Sequence, residues 1–561
     1  MPDPTDAGSA FQAPLEPEAD LRAVGRGAPS SRPPWVAQVE LYDTTLRDGA
    51  QRAGLSFSIE DKLKVLHALD SLGVPLVEGG WPGANPRDTE FFRLAARETL
   101  AHSTLAAFGM TRKAGERADA SPVLRELLEA QTPVVCLVGK SSPLHVTLTL
   151  ETTPEENLRM VADSVGFLVR EGRRVFFDAE HFFDGYVEDP DYALRVLRAA
   201  EEAGADRLVL CDTNGGTLVG EAVRAIGEVT DHVRVPLGVH FHDDAASAVA
   251  GSVLAVQAGA FQVQGTVNGY GERCGNADLI AIAASLSLKL GLDVLPGNGV
   301  SRLTEIAHLV AEIANVPPDP HQPYVGRSAF AHKAGLHASA LARRSDAYEH
   351  VPPGAVGNAS HVLVSDLAGR ANMLRKAAEL GVPLEPSAAS DALTGVKERE
   401  AAGYSYEAAD ASLELLLRRS AGWEHSFFEV ESFRVSVEER RGQVEPAEAT
   451  VKVRTNGDRH IATAEGAGPV GALDNALRMA LTRTYPELDE MRLTDYRVRV
   501  LDGAKGTQAA VRVLIETSDG AKEWVTVGVS DNVIHASWEA LTDAYAYGLL
   551  HRPAAGPPPV S

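Results

Sequence analysis

Two histidines one residue apart, in Gly238-Val239-His240-Phe241-His242-Asp243-Asp244, have the types and spacing that could do chemistry. The stretch follows a polar helical segment at about 220–231 and then Pro236, and it reads as a short strand running into a loop. On a strand, residues two apart point to the same face. His240 and His242 would present two imidazoles side by side, with Val239 and Phe241 packed on the other face. Neutral imidazole is the commonest protein ligand for a metal, and backbone pairing holds it more firmly than a loop does. A pair of satisfied core histidines is the alternative, so the remaining ligands must be found elsewhere in the chain.

The elements that would carry them alternate regularly from residue 38 onward. Apolar runs at 39–43, 74–80, 104–109, 134–139, 174–179, 207–212, 237–242 and 261–267 are separated by helix-period segments such as 60–73 and 154–172, and 277–291 follows the last run. Strands alternating with helices imply parallel pairing through right-handed crossovers. Eight such units over about 250 residues match the size of a TIM barrel, with a doubly wound open sheet as the alternative. In such a barrel chemistry sits where strands end. Polar clusters fall at six of those ends: 43–51, 78–86, 178–186, 211–217, 240–244 and 265–276. Helix capping by Asp, Thr and Asn explains one such end; six are harder to explain that way.

The chain has 561 residues, too many for one ordinary core. Its 44% hydrophobic and 23% charged content are those of a soluble globular protein. A formal charge of −24 argues against nucleic acid or an anionic membrane as partner. No apolar run approaches the ~20 residues of a membrane span. The acidic, proline-rich start lacks the basic and apolar regions of a signal peptide and reads as a disordered tail. Cys136, Cys211 and Cys274 are far apart, which favours reduced, packed thiols in a cytoplasmic protein. From about 300 to 420 the pattern is mostly helical around a polar insert at 330–350, read as a lid. Beyond 426 three strands and a helix occur twice, the helices at 470–485 and 533–550. Their period-2 alternation leaves each sheet needing a cover, which suggests a homodimer. The expected organisation is a tail at 1–34, a barrel at 35–300, a helical linker and lid at 301–425, an α+β regulatory and dimerisation domain at 426–550, and a tail at 551–561.

The motifs DTTLRDGAQ, EGGWPGANP, DAEHFFDGY, LCDTNGGTL, HFHDD, QVQGTVNGYGERCGNADL, FAHKAGLH and YEHVPP together resemble the group of 2-isopropylmalate and homocitrate synthases. Within it, WPGANP and DAEHFFDGY are most similar to the citramalate synthase branch. The resemblance implies a metal-dependent Claisen condensation of acetyl-CoA with pyruvate, feeding isoleucine synthesis under feedback from a branched-chain amino acid. Another 2-keto acid, a carbon–carbon lyase on the same barrel, or a catalytically silent amino-acid sensor are the alternatives.

By this resemblance Asp48, His240, His242 and Asn276 hold a Mn, Mg, Zn or Co ion, and the keto acid chelates it. Arg47 resembles the catalytic arginine, facing the oxygen on which charge develops. Glu180 and His337 jointly match the groups that take a methyl proton from acetyl-CoA, and Tyr348 matches a lid tyrosine. Thr213 is expected to hydrogen-bond the keto-acid carboxylate. Cys274 reads as packing, and the loop Gly466-Ala467-Gly468-Pro469 as a place where backbone N–H groups could meet an effector carboxylate. Two departures stand out. Asp243 occupies a position where Asn is expected, an extra carboxylate that could alter the metal's preference, and Gly251 replaces an expected Asn.

Overall fold

The computed structural model describes residues 39–332, 337, 340, 344–362, 369–407, 409–423, 426–440, 443–444, 446–501, 506 and 508–552. The tails expected at 1–34 and 551–561 lie outside these residues, save 551–552. The chain divides into two compact units between Pro318 and Asp319.

In the first unit eight parallel strands close into a barrel. They are β1 (Glu40–Asp43), β2 (Leu76–Glu78), β3 (Thr104–Met110), β4 (Val134–Lys140), β5 (Arg174–Glu180), β6 (Arg207–Asp212), β7 (Leu237–Phe241) and β8 (Gln262–Gly265). Each pairs with the next, and β8 returns to β1 with Glu40 opposite Gln262, so no sheet edge remains and the open-sheet alternative is excluded. Strands such as Val134–Lys140 are apolar almost throughout because side chains inside and outside the barrel are both buried. Tyr42, Leu76, Ala106, Phe108, Cys136 and Phe176 form one packed cluster among the strands.

Local signals set the helices. Ser58 accepts from the Asp61 N–H while Asp61 reaches back to the Ser58 N–H, opening helix Ile59–Leu72, which stops at Gly73 in the left-handed region. Thr153 caps helix Pro154–Arg170 through the Glu156 N–H. Helix Leu303–Ile313 packs on Ile59–Leu72, so the first unit runs past residue 300.

β2 is shorter than its apolar run, and Gly79 and Gly80 follow it while still bonding to β3, the Gly79 N–H donating to the Ala106 carbonyl and the Phe108 N–H to the Gly80 carbonyl. Gly80 has φ +143°, and a Cβ there would meet the Asp88 carboxylate and Lys62 Nζ. Lys62 is buried, and its Nζ donates to the Gly79 carbonyl at 2.9 Å and to Asp88 at 2.5 Å. Asp88 also accepts from the Trp81 N–H, so one buried ion pair shapes the loop that carries Trp81 to the mouth.

The second unit holds helices Arg370–Glu379, Pro386–Ala401 and Asp410–Ser420, packed through Met373, Ala392, Val396 and Leu413. The stretch 319–362 has described helical residues at His337 and Ala340, within the polar insert read at 330–350. It holds the pairing of Ala331–His332 with His361–Val362 and short 3₁₀ turns. Two antiparallel sheets follow, Glu429–Ser436/Ala447–Thr455/Asp458–Gly466 and Arg492–Val500/Val511–Ser518/Glu523–Ser530, each followed by a helix, Pro469–Leu481 and Val533–Leu550. Their inner faces share one core that includes Val451, Leu473, Val513 and Leu541. Ile461, Val498 and Val500 are exposed. No helix among the described residues is long and apolar enough to cross a membrane.

Removing one partner of a buried ion pair leaves the other charge uncompensated. Lys62→Met is therefore expected to cost roughly 3 kcal/mol, and Lys62→Met with Asp88→Leu less than the single change. Urea unfolding checks this; equal midpoints for wild type and Lys62→Met would remove Lys62 from the account of the loop.

Candidate active site at the barrel mouth

The loop after β1 is shaped by the strand's last residue, Asp43. Asp43 accepts from both the N–H and the Oγ1 of Thr45, folding the chain so that Arg47 and Asp48 face the barrel axis. Asp48 is buried and lies 3.2 Å from His240 Nε2 and 3.7 Å from His242 Nε2. The two imidazoles sit with ring centroids 5.2 Å apart and Nε2 atoms 3.3 Å apart, as their spacing on one strand face predicts. His242 lies just past the end of β7 and is pinned by an isolated bridge to Asn276. Among the described residues this is the one group of three such side chains whose donor atoms converge closely enough for a metal ion.

The donor chemistry fits a divalent cation. Two ring nitrogens and a carboxylate oxygen face one another with little exposure to water, which leaves lone pairs uncompensated unless a positive charge lies among them. Burial and the neighbouring His240 push His242 down to about 4, so its ring is neutral and can offer a lone pair. Burial alone would raise Asp48, but Arg47 and His240 hold its carboxyl well below the usual range. Asn276 adjoins the three: its Nδ2 donates to Asp48 at 3.0 Å, while Oδ1, the atom able to ligate, has no hydrogen-bond partner. Oδ1 faces Gly271, where a Cβ would run into it.

Arg47 is fixed by groups that motif reading did not single out. Its Nε donates to Glu78 at 2.5 Å, and its guanidinium lies 3.8 Å from the centre of the Phe108 ring. Glu78 is fully buried and also accepts from the Tyr42 hydroxyl at 2.7 Å. Arg47 and Asp48 are 3.5 Å apart. Glu180 pairs with Lys140 at 2.5 Å. The residue after it, His181, has φ +56° and is held there by its N–H to Thr213 Oγ1 at 2.9 Å, by Asp184, and by stacking on His145 at 3.7 Å. Because Thr213 Oγ1 accepts that N–H, its own hydrogen is left to donate elsewhere.

Arg47, Asp48, Glu180, Thr213, His240 and His242 all line one cavity of about 400 Å³, with Trp81, Phe108 and Val138 forming apolar wall. Asp243 is turned away from it: Oδ1 accepts from the Ala248 N–H at 2.8 Å, opening helix Ala248–Ala258. The extra carboxylate is thus a helix-end group and not an addition to the donor set. Asp244 pairs with Arg273 at 2.9 Å. Cys136 and Cys211 are buried as expected, but Cys274 is exposed and does not serve as packing. His337 and Tyr348 belong to the second unit, where their rings stack with centroids 4.0 Å apart.

The groups missed, Tyr42, Glu78, Lys140, Asp178 and Gln264, had one available signal. Each is a polar residue on a strand, within three residues of its C-terminal end. A polar side chain pointing into a barrel interior needs a partner there.

Residues 38–310 match the HMGL-like family, 324–403 the homocitrate synthase post-HMGL domain-like family, and 407–549 the LeuA allosteric (dimerisation) domain. A closed parallel barrel with converging donors at its mouth, followed by these two domains, defines an HMGL-like enzyme with an appended allosteric domain. The (R)-citramalate synthase of Streptomyces coelicolor is 54% identical over 91% of this chain and 96% of its own. That of Aquifex aeolicus is 48% identical over 91% and 98%. A probable 2-isopropylmalate synthase of Methanopyrus kandleri is 33% identical over 90% and 97%. The chain belongs to the (R)-citramalate synthase family.

If Glu78 anchors Arg47, Glu78→Gln leaves a buried guanidinium under-compensated and lowers stability by roughly 3 kcal/mol. Tyr42→Phe, which removes one hydrogen bond, costs about 1 kcal/mol. Denaturant unfolding of both variants checks the order; a smaller loss for Glu78→Gln than for Tyr42→Phe would contradict it.

Proposed function

We propose that the protein condenses acetyl-CoA with pyruvate to give citramalate and free CoA. The observation that carries this reading is the convergence of Asp48, His240 and His242 in a cavity that Arg47, Glu180 and Thr213 also line. The 54% and 48% identical relatives carry the matching name, and the 2-isopropylmalate relative is more distant.

Asp48, His240 and His242, with Asn276 through Oδ1 if its amide turns over, would hold a divalent Mn, Mg, Zn or Co ion. Such an ion, when bound, supplies Lewis-acid polarisation of the keto carbonyl. The Thr213 hydroxyl is placed to donate to the pyruvate carboxylate. Arg47, held rigid by Glu78 and Phe108, faces the keto oxygen on which negative charge gathers, and costs no reorganisation when that charge appears. Removal of a methyl proton from acetyl-CoA is assigned to Glu180, which Lys140 holds, jointly with His337. His337 shares that step and Tyr348 assists, on family resemblance alone. The methyl carbon bonds to C2 of pyruvate, the keto oxygen ends as a hydroxyl, and water cleaves the thioester to release CoA as the thiol. That hydrolysis makes the sequence irreversible.

The product would enter isoleucine synthesis, and the second unit would carry feedback. Strand Asp458–Gly466 leads through Gly466-Ala467-Gly468 into helix Pro469–Leu481, whose N-cap Gly468 has no side chain to cap it. The first backbone N–H groups of that helix suit a carboxylate effector. A homodimer through the exposed sheet faces completes the proposal.

Free thiol release from acetyl-CoA tests the reaction. Pyruvate is expected to drive it, chelation to abolish it, and added divalent metal to restore it. Release with 2-ketoisovalerate or 2-ketoglutarate alone would reassign the substrate, and release with none would return the lyase or the sensor. Arg47→Ala should lower kcat by about 10²–10³-fold. Isothermal titration with isoleucine and with leucine tests the effector; no heat from either removes it.

A further inference from the structure

Gln264 has no part in the reaction proposed above and no exposed surface. It lies on β8 directly opposite His240 of β7, as its register partner. Its Oε1 is 2.8 Å from His240 Nδ1, and its Nε2 donates to Asp178 Oδ1 at 3.1 Å. Asp178, on β5, is itself buried.

Chemistry fixes the direction of this chain. An ionised carboxylate only accepts, so the amide NH₂ of Gln264 faces Asp178 and its carbonyl faces the imidazole. A carbonyl also only accepts, so the hydrogen between them belongs to His240 Nδ1. In a neutral imidazole the other nitrogen then carries the bare lone pair. That nitrogen, Nε2, is the one 3.2 Å from Asp48 and 3.3 Å from His242 Nε2. His242 has no such support: its Nδ1 is buried without a hydrogen-bond partner. Orientation of the imidazole pair therefore depends on His240 and on what lies behind it.

We propose that Asp178 and Gln264 are positioning residues that lock His240 in its Nδ1–H form and so set the affinity of the Asp48–His240–His242 cluster for a divalent cation. The inference rests on reading that cluster as a cation site. Outer partners of metal-bound histidines fix ring orientation and raise ligand basicity, and their loss typically weakens binding about 10–100-fold. The relay departs from the common carboxylate–histidine pair by one inserted amide, which passes the carboxylate's demand for a donor on to the ring without placing a second charge beside the site.

Cobalt(II) titration of the full chain after metal stripping tests this, with the visible absorption of the ion reporting its coordination. Wild type should bind with strong visible bands, and Asp48→Ala should not. Gln264→Met, of similar volume and without hydrogen bonds, should bind about 10–100-fold more weakly with altered bands. Gln264→Glu combined with Asp178→Asn keeps the direction of the chain, since the Asn amide donates to Glu and Glu accepts from Nδ1–H. It should bind as wild type does, whereas Asp178→Leu, which leaves the Gln264 amide without its acceptor, should bind more weakly. If wild type binds no cobalt, or binds it equally after Asp48→Ala, the cation reading fails and the inference falls with it. If wild type binds at the cluster and Gln264→Met gives the same affinity and bands, the relay is refuted while the cation reading stands. Should Gln264→Met not fold by circular dichroism, Asp178→Leu and the compensated double decide, and equal affinity in both overturns the relay.

Discussion

Three electron-pair donors, the Asp48 carboxylate and the Nε2 atoms of His240 and His242, are held within 3.7 Å of one another with little access to water. Arg47 and the Asn276 amide meet part of the demand at Asp48, and a cation among the three donors would meet the rest. The rest of the barrel can be understood as the scaffold that enforces it. β1 and β7 are not neighbours in the barrel; β8 lies between them. Asp48 therefore reaches the imidazoles from a loop, and that loop is shaped by Asp43 and Thr45. Asn276, from the loop after β8, bridges the gap by bonding to Asp48.

A second layer of polar groups keeps this first one rigid. Arg47 is fastened by Glu78 and Tyr42, Glu180 by Lys140, Thr213 by the His181 backbone, and His240 by Gln264 and Asp178. Burial raises Asp178 to about 6, with Glu78 adding to the effect. A cavity carrying this much buried charge depends on complete pairing, because each unpartnered group in a low-dielectric interior costs more than it would at the surface. The left-handed backbone at His181 is one local strain that the surrounding contacts sustain.

The second unit follows a different rule. Its sheets bury alternate residues, as in Ala447–Thr455, and its helices cover one face of each. Exposed Ile461, Val498 and Val500 are the remainder of that alternation. Period-2 patterning announces such half-covered sheets in advance, and the repeat of three strands and a helix was visible for that reason. Among the described residues of 319–362, the short turns and the two-residue strand pair have no strong local signature and were not legible in the same way.

Local chemistry along the chain determined the eight strand–helix units, the cap at Ser58, the repeat beyond residue 426, and the pairing of His240 with His242 on one strand face. These depend on neighbours a few residues apart, where periodicity and capping act. Tertiary structure alone decided that Asp243 serves a helix end, that Glu180 meets Lys140, and that Cys274 is exposed. It also brought Glu78 to Arg47 and Gln264 to His240 across 31 and 24 residues of chain. The physical reason is that side-chain partners inside a barrel are chosen by strand register and by burial, and both exist only once the sheet has closed.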